Sequence, residues 1–387
     1  MSEEYNQVDD FFEAEKKNID NNEEIEFPKE YQDQDESYTN ESESSSEKND
    51  DADFGNEEEP SPEESNQNKA PTRKPRLLLT ALGGCNGCHI TILDLHEELI
   101  DVLSKFEIVR ASVIADMNRT EIPECDIALI EGAVCNKENE EVLKEIRGKA
   151  EMLIPLGSCA CYGGIPGLRN YYEIDSVIKE AYIDAPSNVN KEEKLPNDYS
   201  QIPEMLKHVK PVDKVVNVDF MIPGCPPVPR VIKSALVDIL EGKEPRLPTK
   251  NLCDECTRTH AEIKPGDRSF FTFKIDTVIE SDLDPDKCFI EQGVLCMGPA
   301  TRSGCEGRCT SAGMPCRGCM GPNPEAIEQG SEMSNAMAPM LPIGALIQKE
   351  DLAGTFYRYA LPSSILPKVV KGYKDIRDYK KRNGNNE

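Results

Sequence analysis

The chain has 387 residues, 15 Cys, no Trp and a formal net charge of −28. That length accommodates more than one domain with its own core, and so acidic a chain is no partner for a polyanionic nucleic acid. No run of about 18 apolar residues is present to span a membrane. The acidity is also uneven. Residues 1–70 hold 25 Asp and Glu against 5 Lys and Arg, so the charge belongs mostly to one end.

Residues 1–72 form a low-complexity stretch of Asp, Glu, Asn, Ser and Gln, as in Glu41-Ser42-Glu43-Ser44-Ser45-Ser46-Glu47. Too little apolar surface is available there to offset the entropy of ordering, which predicts a disordered acidic tail. The alternative is a helix docked on a partner through Phe11, Phe12, Ile25 and Phe27.

Order is expected from Arg76. Arg76-Leu77-Leu78-Leu79-Thr80-Ala81-Leu82 is an apolar run ending in Gly83-Gly84, the pattern of a buried parallel strand. Ile92, Leu95, Leu99, Val102 and Leu103 recur at helical spacing and predict a helix over 90–104. Strands are predicted at 107–114, 126–130, 152–156 and 215–222, with helices at 137–149 and 228–241. Strands alternating with helices imply an α/β domain with a doubly wound parallel sheet. Residues 165–214 read as a long insertion with a short helix near 175–182. After Leu247, Gly, Pro and Cys become dense and long periodic segments vanish, so a cysteine-rich domain with little regular structure is expected. The resulting division is a tail (1–72), an α/β domain (73–247), a cysteine-rich domain (248–330) and a C-terminal extension (331–387) ending in Lys380-Lys381-Arg382.

The cysteines carry the chemistry. No secretory signal is read near the N-terminus, which predicts a cytoplasmic protein, and an odd number of cysteines in such a chain favours metal over disulfides. Cys85 and Cys88 follow the first strand, Cys159 the fourth and Cys225 the fifth. All four therefore sit at carboxyl ends of strands, which in an open α/β sheet share one ligand-binding edge. The neighbouring glycines allow close backbone approach and leave N–H groups for inorganic sulfide. Eight further cysteines divide by order into Cys253, Cys256, Cys288, Cys296 and Cys305, Cys309, Cys316, Cys319. Four thiolates hold either one zinc or one 4Fe-4S cluster. Three such sites in one chain suit an electron relay, and a zinc-stabilised interaction scaffold is the rival.

Taken together, Gly83-Gly84-Cys85-Asn86-Gly87-Cys88-His89, Glu131-Gly132, Gly157-Ser158-Cys159-Ala160, Tyr162-Gly163-Gly164, Pro223-Gly224-Cys225-Pro226-Pro227, Cys296-Met297-Gly298-Pro299-Ala300-Thr301 and Pro315-Cys316-Arg317-Gly318-Cys319 resemble the small subunits of nickel–iron hydrogenases. Within that family they are similar to the archaeal non-deazaflavin-reducing, viologen-reducing type that associates with heterodisulfide reductase. The resemblance spans about residues 76–367. It implies a flavodoxin-like domain and three 4Fe-4S clusters: proximal on Cys85, Cys88, Cys159 and Cys225, medial on Cys305, Cys309, Cys316 and Cys319, and distal on Cys253, Cys256, Cys288 and Cys296. It further implies a nickel–iron large subunit as partner, and a soluble iron–sulfur or flavin acceptor of the heterodisulfide reductase type. No catalytic residue is expected in this chain, whose role is that of a wire. The deazaflavin-reducing hydrogenase small subunit is a rival within the family. The homologous cluster subunit of respiratory complex I is another, but it has adjacent cysteines where this chain has Cys85 and Cys88, and it lacks the last eight.

Cys125, Cys135 and Cys161 have no matching ligand role, although Cys161 stands near enough to Cys159 to compete with it. Glu131 is read as a partner contact or a polar bridge near the proximal site, against a solvated loop carboxylate. His89 and His96 are expected on one helical face, in packing or surface roles.

Overall fold

The computed structural model describes residues 73–111, 113, 115, 121–196, 198–260, 283–326, 328–338 and 352–365, all within the unit Lys69–Glu387. The predicted acidic tail and the basic Lys380-Lys381-Arg382 end lie outside these residues.

The framework is a four-stranded parallel sheet. Strands β1 (Arg76–Ala81), β2 (Glu107–Ala111) and β3 (Cys125–Glu131) are joined by β5 (Ala150–Leu156), in the spatial order β2-β1-β3-β5. Side chains alternate across a pleated sheet, and here both alternating sets are apolar. Leu77, Leu79, Ile127, Leu129 and Ile154 enter one core with Ile92, Val102, Ile232 and Leu236. Leu78, Ala128, Ile130 and Leu153 enter a second with Leu143 and Ile146. Both faces are thus covered by helices, which is why the strands read as continuous apolar runs.

The helices on the first face are α1 (Gly87–Leu93) and α2 (Glu98–Leu103), joined later in the chain by one at Pro229–Leu240. The single helix expected over 90–104 is broken, because His96 takes a left-handed φ of 51° that no α-helix continues through. His89 and His96 therefore do not share a helix face: His89 is fully buried and His96 is exposed. The second face is covered by α3 (Lys137–Lys149), whose ends match its sequence. The Asn136 side chain accepts from the Asn139 N–H at 2.8 Å, a cap worth about 1 kcal/mol. Glu138 and Glu140 lie in the first turn, and Arg147 and Lys149 in the last, each complementing the helix dipole.

The predicted fifth strand at 215–222 does not form as a regular strand. The segment runs beside β5, with the Ile222 N–H on the Pro155 carbonyl at 2.9 Å and a single parallel bridge from Leu156 to Ile222. At Leu153, however, it is the Asp219 carboxylate that accepts the strand N–H, at 2.7 Å. A side-chain acceptor has displaced a backbone one, and the ladder is interrupted.

Helix α4 (Ser158–Tyr162) leads into the insertion, which runs through a 3-10 helix at Ile165–Tyr171, then α5 (Ile174–Lys179) extended by a π turn at Glu180–Asp184. A small antiparallel pair that the sequence pattern did not predict joins β4 (Val134–Asn136) to β6 (Met205–Lys210). Asn170, fully buried, holds this pair to the insertion: it accepts from the Val209 N–H at 2.8 Å and donates to the Val209 carbonyl at 2.9 Å. The helix at Pro229–Leu240 is α6. Pro229 opens it, where its missing N–H costs nothing.

Beyond α6 regular structure is sparse: short 3-10 turns, α7 (Arg308–Ser311), α8 (Gln329–Met337) and α9 (Leu352–Phe356). This region nevertheless has an apolar core. Leu252, Phe289, Val294 and Met297 pack with Met333, Met337, Phe356, Tyr357 and Leu361, so residues of the C-terminal extension complete it.

Candidate iron–sulfur sites

None of the fifteen cysteines is in a disulfide. Twelve of them gather into three groups of four.

The first group forms at the carboxyl edge of the sheet. Cys85 and Cys88 come from the β1–α1 turn, Cys159 from the start of α4 after β5, and Cys225 from the loop after the bridge at Ile222. The loops are tied together: the Gly157 N–H donates to the Ile222 carbonyl at 2.7 Å and the Ser158 N–H to the Gly224 carbonyl at 2.8 Å. The glycines are sterically required. Gly157 has φ +87°, and a Cβ on it would stand 2.2 Å from the Cys88 sulfur; one on Gly164, at φ +52°, would stand 2.6 Å from the Cys159 sulfur. Burial, then Glu131 and the other three thiols, pushes the Cys88 thiol far above its ordinary range. Burial and then Cys225 push Cys159 up to about 12. Four such thiols cannot ionise together unless positive charge is supplied among them.

Glu131, at the end of β3, is 1 % exposed. Its carboxylate accepts the His89 N–H at 2.8 Å and also bonds the Cys88 side chain. It bridges β3 and α1 beneath the first thiol group and is not a solvated loop carboxylate. Burial raises its pKa, against the N–H groups of His89, Cys88 and Asn86 that lower it. Burial likewise lowers His89 to about 4, so this neighbour is a neutral packing residue.

The second group is Cys305, Cys309, Cys316 and Cys319. Burial, then the Cys305, Cys225 and Cys309 thiols, pushes Cys319 up to about 12, against the Cys225 N–H that lowers it. Cys316 is raised by burial first, then by Cys296 and, less, by Cys319. The third group is Cys253, Cys256, Cys288 and Cys296, all of which line one cavity together with Arg258, His260 and Phe289. Burial, then Cys296, Cys288 and Cys256, pushes Cys253 up to about 12.

The groups adjoin in a fixed order. The backbone N–H of Cys225 bonds the sulfur of Cys319, and the Ser158 hydroxyl donates to the Cys319 carbonyl, so the first group meets the second. The Cys316 N–H donates to the Cys296 sulfur at 3.2 Å, and Cys256 Sγ stands 3.5 Å from Thr310 Oγ1, so the second meets the third. Backbone N–H groups point at sulfur repeatedly: Gly307 and Arg308 at Cys305, Ile290 and Glu291 at Cys288, Gly298 at Cys296. Such donors suit the sulfurs of a cluster, and four converging thiols are a donor set for soft metal; by themselves the donors fit zinc as well as iron–sulfur.

The three remaining cysteines are not brought together. Cys125 is buried at the start of β3. Cys135 abuts Gly83. Cys161 is buried with its thiol on the Pro155 carbonyl at 3.5 Å, turned into the β5 core. Sequence reasoning missed Tyr359, whose hydroxyl bonds the Cys225 thiol while its carbonyl accepts the Gly164 N–H at 3.1 Å. A lone Tyr in a C-terminal segment carries no signal of such a contact.

Residues 85–239 match the family described as NADH ubiquinone oxidoreductase, 20 Kd subunit. The G subunit of the vhu F420-non-reducing hydrogenase of Methanococcus voltae is 45 % identical over 296 residues, covering 76 % of this chain and 98 % of that one. The iron–sulfur G subunit of the F420-non-reducing hydrogenase of Archaeoglobus profundus is 34 % identical over 318 residues, covering 76 % and 98 %. Among solved structures, the NAD+-reducing [NiFe]-hydrogenase in the H2-reduced state aligns at 37 % identity with a TM-score of 0.43, covering 46 % of this chain and 96 % of that one. With nearly the whole of such relatives matched, the chain belongs to the G subunits of F420-non-reducing hydrogenases, the iron–sulfur small subunits of nickel–iron hydrogenases.

Proposed function

We propose that this subunit carries electrons from hydrogen oxidation through three 4Fe-4S clusters, with the proximal one on Cys85, Cys88, Cys159 and Cys225, the medial one on Cys305, Cys309, Cys316 and Cys319, and the distal one on Cys253, Cys256, Cys288 and Cys296. The observation that carries this is the order of contact: Cys225 against Cys319, then Cys316 against Cys296. A structural zinc has no use for neighbours in line, whereas a relay requires them.

A 4Fe-4S cluster takes up and passes on one electron at a time. The chain's own residues hold the thiolates, aim N–H groups at their sulfurs and exclude water. The sheet order, 2-1-3-4 when its four strands are numbered in sequence, supports reading this as a flavodoxin-like, doubly wound domain with the first site at its strand ends. We take that domain as 73–247, the cysteine-rich domain as 248–330 and the C-terminal extension as 331–387.

The hydrogen-activating centre belongs to a nickel–iron large subunit. Cys85 and Cys225 are exposed, and Ile90 and Leu93 next to them present apolar surface; this is the face for that partner. Electrons leave from the third site to a soluble iron–sulfur or flavin acceptor of the heterodisulfide reductase type, in the cytoplasm. No helix among the described residues is long and apolar enough to cross a membrane. Anaerobic purification with metal assay tests the proposal: about twelve irons per chain are expected, and zinc without iron would overturn it.

A further inference from the structure

Two residues past Cys256, Arg258 is 7 % exposed. Its guanidinium carbon lies 3.8 Å from the centroid of the Phe289 ring. Its Nε donates to the Thr310 carbonyl at 3.1 Å, and Nη1 to the Lys287 carbonyl at 2.8 Å and the Asp284 carbonyl at 3.2 Å. All these partners are neutral, and no ion pair within the described residues involves it. A guanidinium does not shed its proton, and a buried cation without a counter-charge is strongly unfavourable. Something anionic must sit beside it. Arg258 lines the same cavity as Cys253, Cys256, Cys288 and Cys296, so the anion is what those thiolates hold.

We propose that Arg258 is the resident counter-charge of the Cys253, Cys256, Cys288 and Cys296 site and holds its reduction potential up. The inference rests on that site being a redox cluster. A cluster on four thiolates is net anionic, and one unit more so when reduced. A fixed cation in a poorly screened interior therefore favours the reduced form. The neighbouring Lys287 cannot substitute: its side chain is 60 % exposed and its ammonium pairs with Asp284 at 3.2 Å, so solvent and partner screen it. The carbonyls that Arg258 binds also flank two sites, Lys287 preceding Cys288 and Thr310 following Cys309. Its charge thus lies where the second and third groups meet.

The test is a redox titration followed by electron paramagnetic resonance on the assembled complex, with iron per chain measured alongside, for wild type, Arg258→Gln and Arg258→Lys. Arg258→Gln is expected to keep its iron while the reduced-to-oxidised ratio of one cluster at a given poise falls about tenfold, a midpoint lower by about 59 mV for one electron. Arg258→Lys, which keeps the charge, is expected to stay within about threefold of wild type, under half that shift. A Gln variant with full iron and a wild-type midpoint overturns the proposal, and so does a Lys variant shifted as far as Gln. If the Gln variant loses that site's iron, Lys decides. With iron and a near-wild-type midpoint it supports the charge role; without iron, or with a tenfold shift, it assigns Arg258 to scaffolding alone. Wild type lacking iron would instead refute the cluster reading itself.

Discussion

The N–H of Cys316 and the sulfur of Cys296, 3.2 Å apart, belong to different groups of four. Where groups touch, ligand assignment by chain order needs a direct test, and Cys309 provides one. It is the exposed member of its group, so trimming it opens no cavity in the core. Cys309→Ala is expected to leave the fold intact and turn one 4Fe cluster into a 3Fe form, seen as a new electron paramagnetic resonance signal in the oxidised protein. An unchanged spectrum would mean that Cys309 is not a ligand.

Gly157 tests the first site by sterics. Its φ of +87° is already unfavourable for any side chain, and a Cβ would stand 2.2 Å from the Cys88 sulfur. Gly157→Ala is expected to displace Cys88 and cost about four irons per chain, one cluster's worth. The other two groups, built on separate loops, should retain theirs. Loss of all iron would show that the three sites assemble together; full iron would show that the loop relaxes around the methyl group.

Asn170 tests the scaffold. Both of its bonds go to the backbone of Val209, and both residues are fully buried. Asn170→Ala strands one donor and one acceptor, at about 1–3 kcal/mol each. A fall in apparent stability of about 2–6 kcal/mol is expected, read as a lower denaturant midpoint at unchanged slope in anaerobic unfolding. A change below about 0.5 kcal/mol, the size of an indifferent surface substitution, would mean that water replaces the side chain.

Much of this fold was legible in the sequence because local chemistry and tertiary fold agree. The Lys137–Lys149 helix has its Asn136 cap, acidic first turn and basic last turn written in order, and Leu77 to Leu79 read as a strand buried on both faces. The failures arise where a contact from far away decides. Asp219 resembles any loop acid, yet its bond to the Leu153 N–H replaces a strand pairing. His96 carries no local mark of its positive φ. β4 is three residues long and β6, Met-Leu-Lys-His-Val-Lys, is half charged or polar, so neither stands out until they pair. The nearness of Cys85, Cys88, Cys159 and Cys225 was legible because strand ends converge. The anchoring of the first site by Tyr359, and the closing of the C-terminal core by Phe356 and Leu361, depend on segments distant in the chain and leave no periodic trace.

The last prediction concerns nickel. On the proposed assignment twelve cysteines serve the three clusters, so a nickel–iron centre in this chain would have to use Cys125, Cys135 and Cys161. Cys125 starts β3 and is 4 % exposed; Cys161 is 1 % exposed and turned onto the Pro155 carbonyl; Cys135 lies against Gly83. They come from three different elements, the start of β3, β4 and α4. The isolated chain is therefore expected to bind no nickel and to reduce no dye with hydrogen. Co-expression with a large subunit and its maturation factors should restore hydrogen-dependent dye reduction. It should also lower the solvent exposure of Ile90 and Leu93, measurable as slowed hydrogen exchange in the helix Gly87–Leu93. Stoichiometric nickel in the isolated chain, or hydrogen-dependent dye reduction without a partner, would overturn this division of labour. Unchanged exchange in that helix with activity restored would place the large subunit on another face.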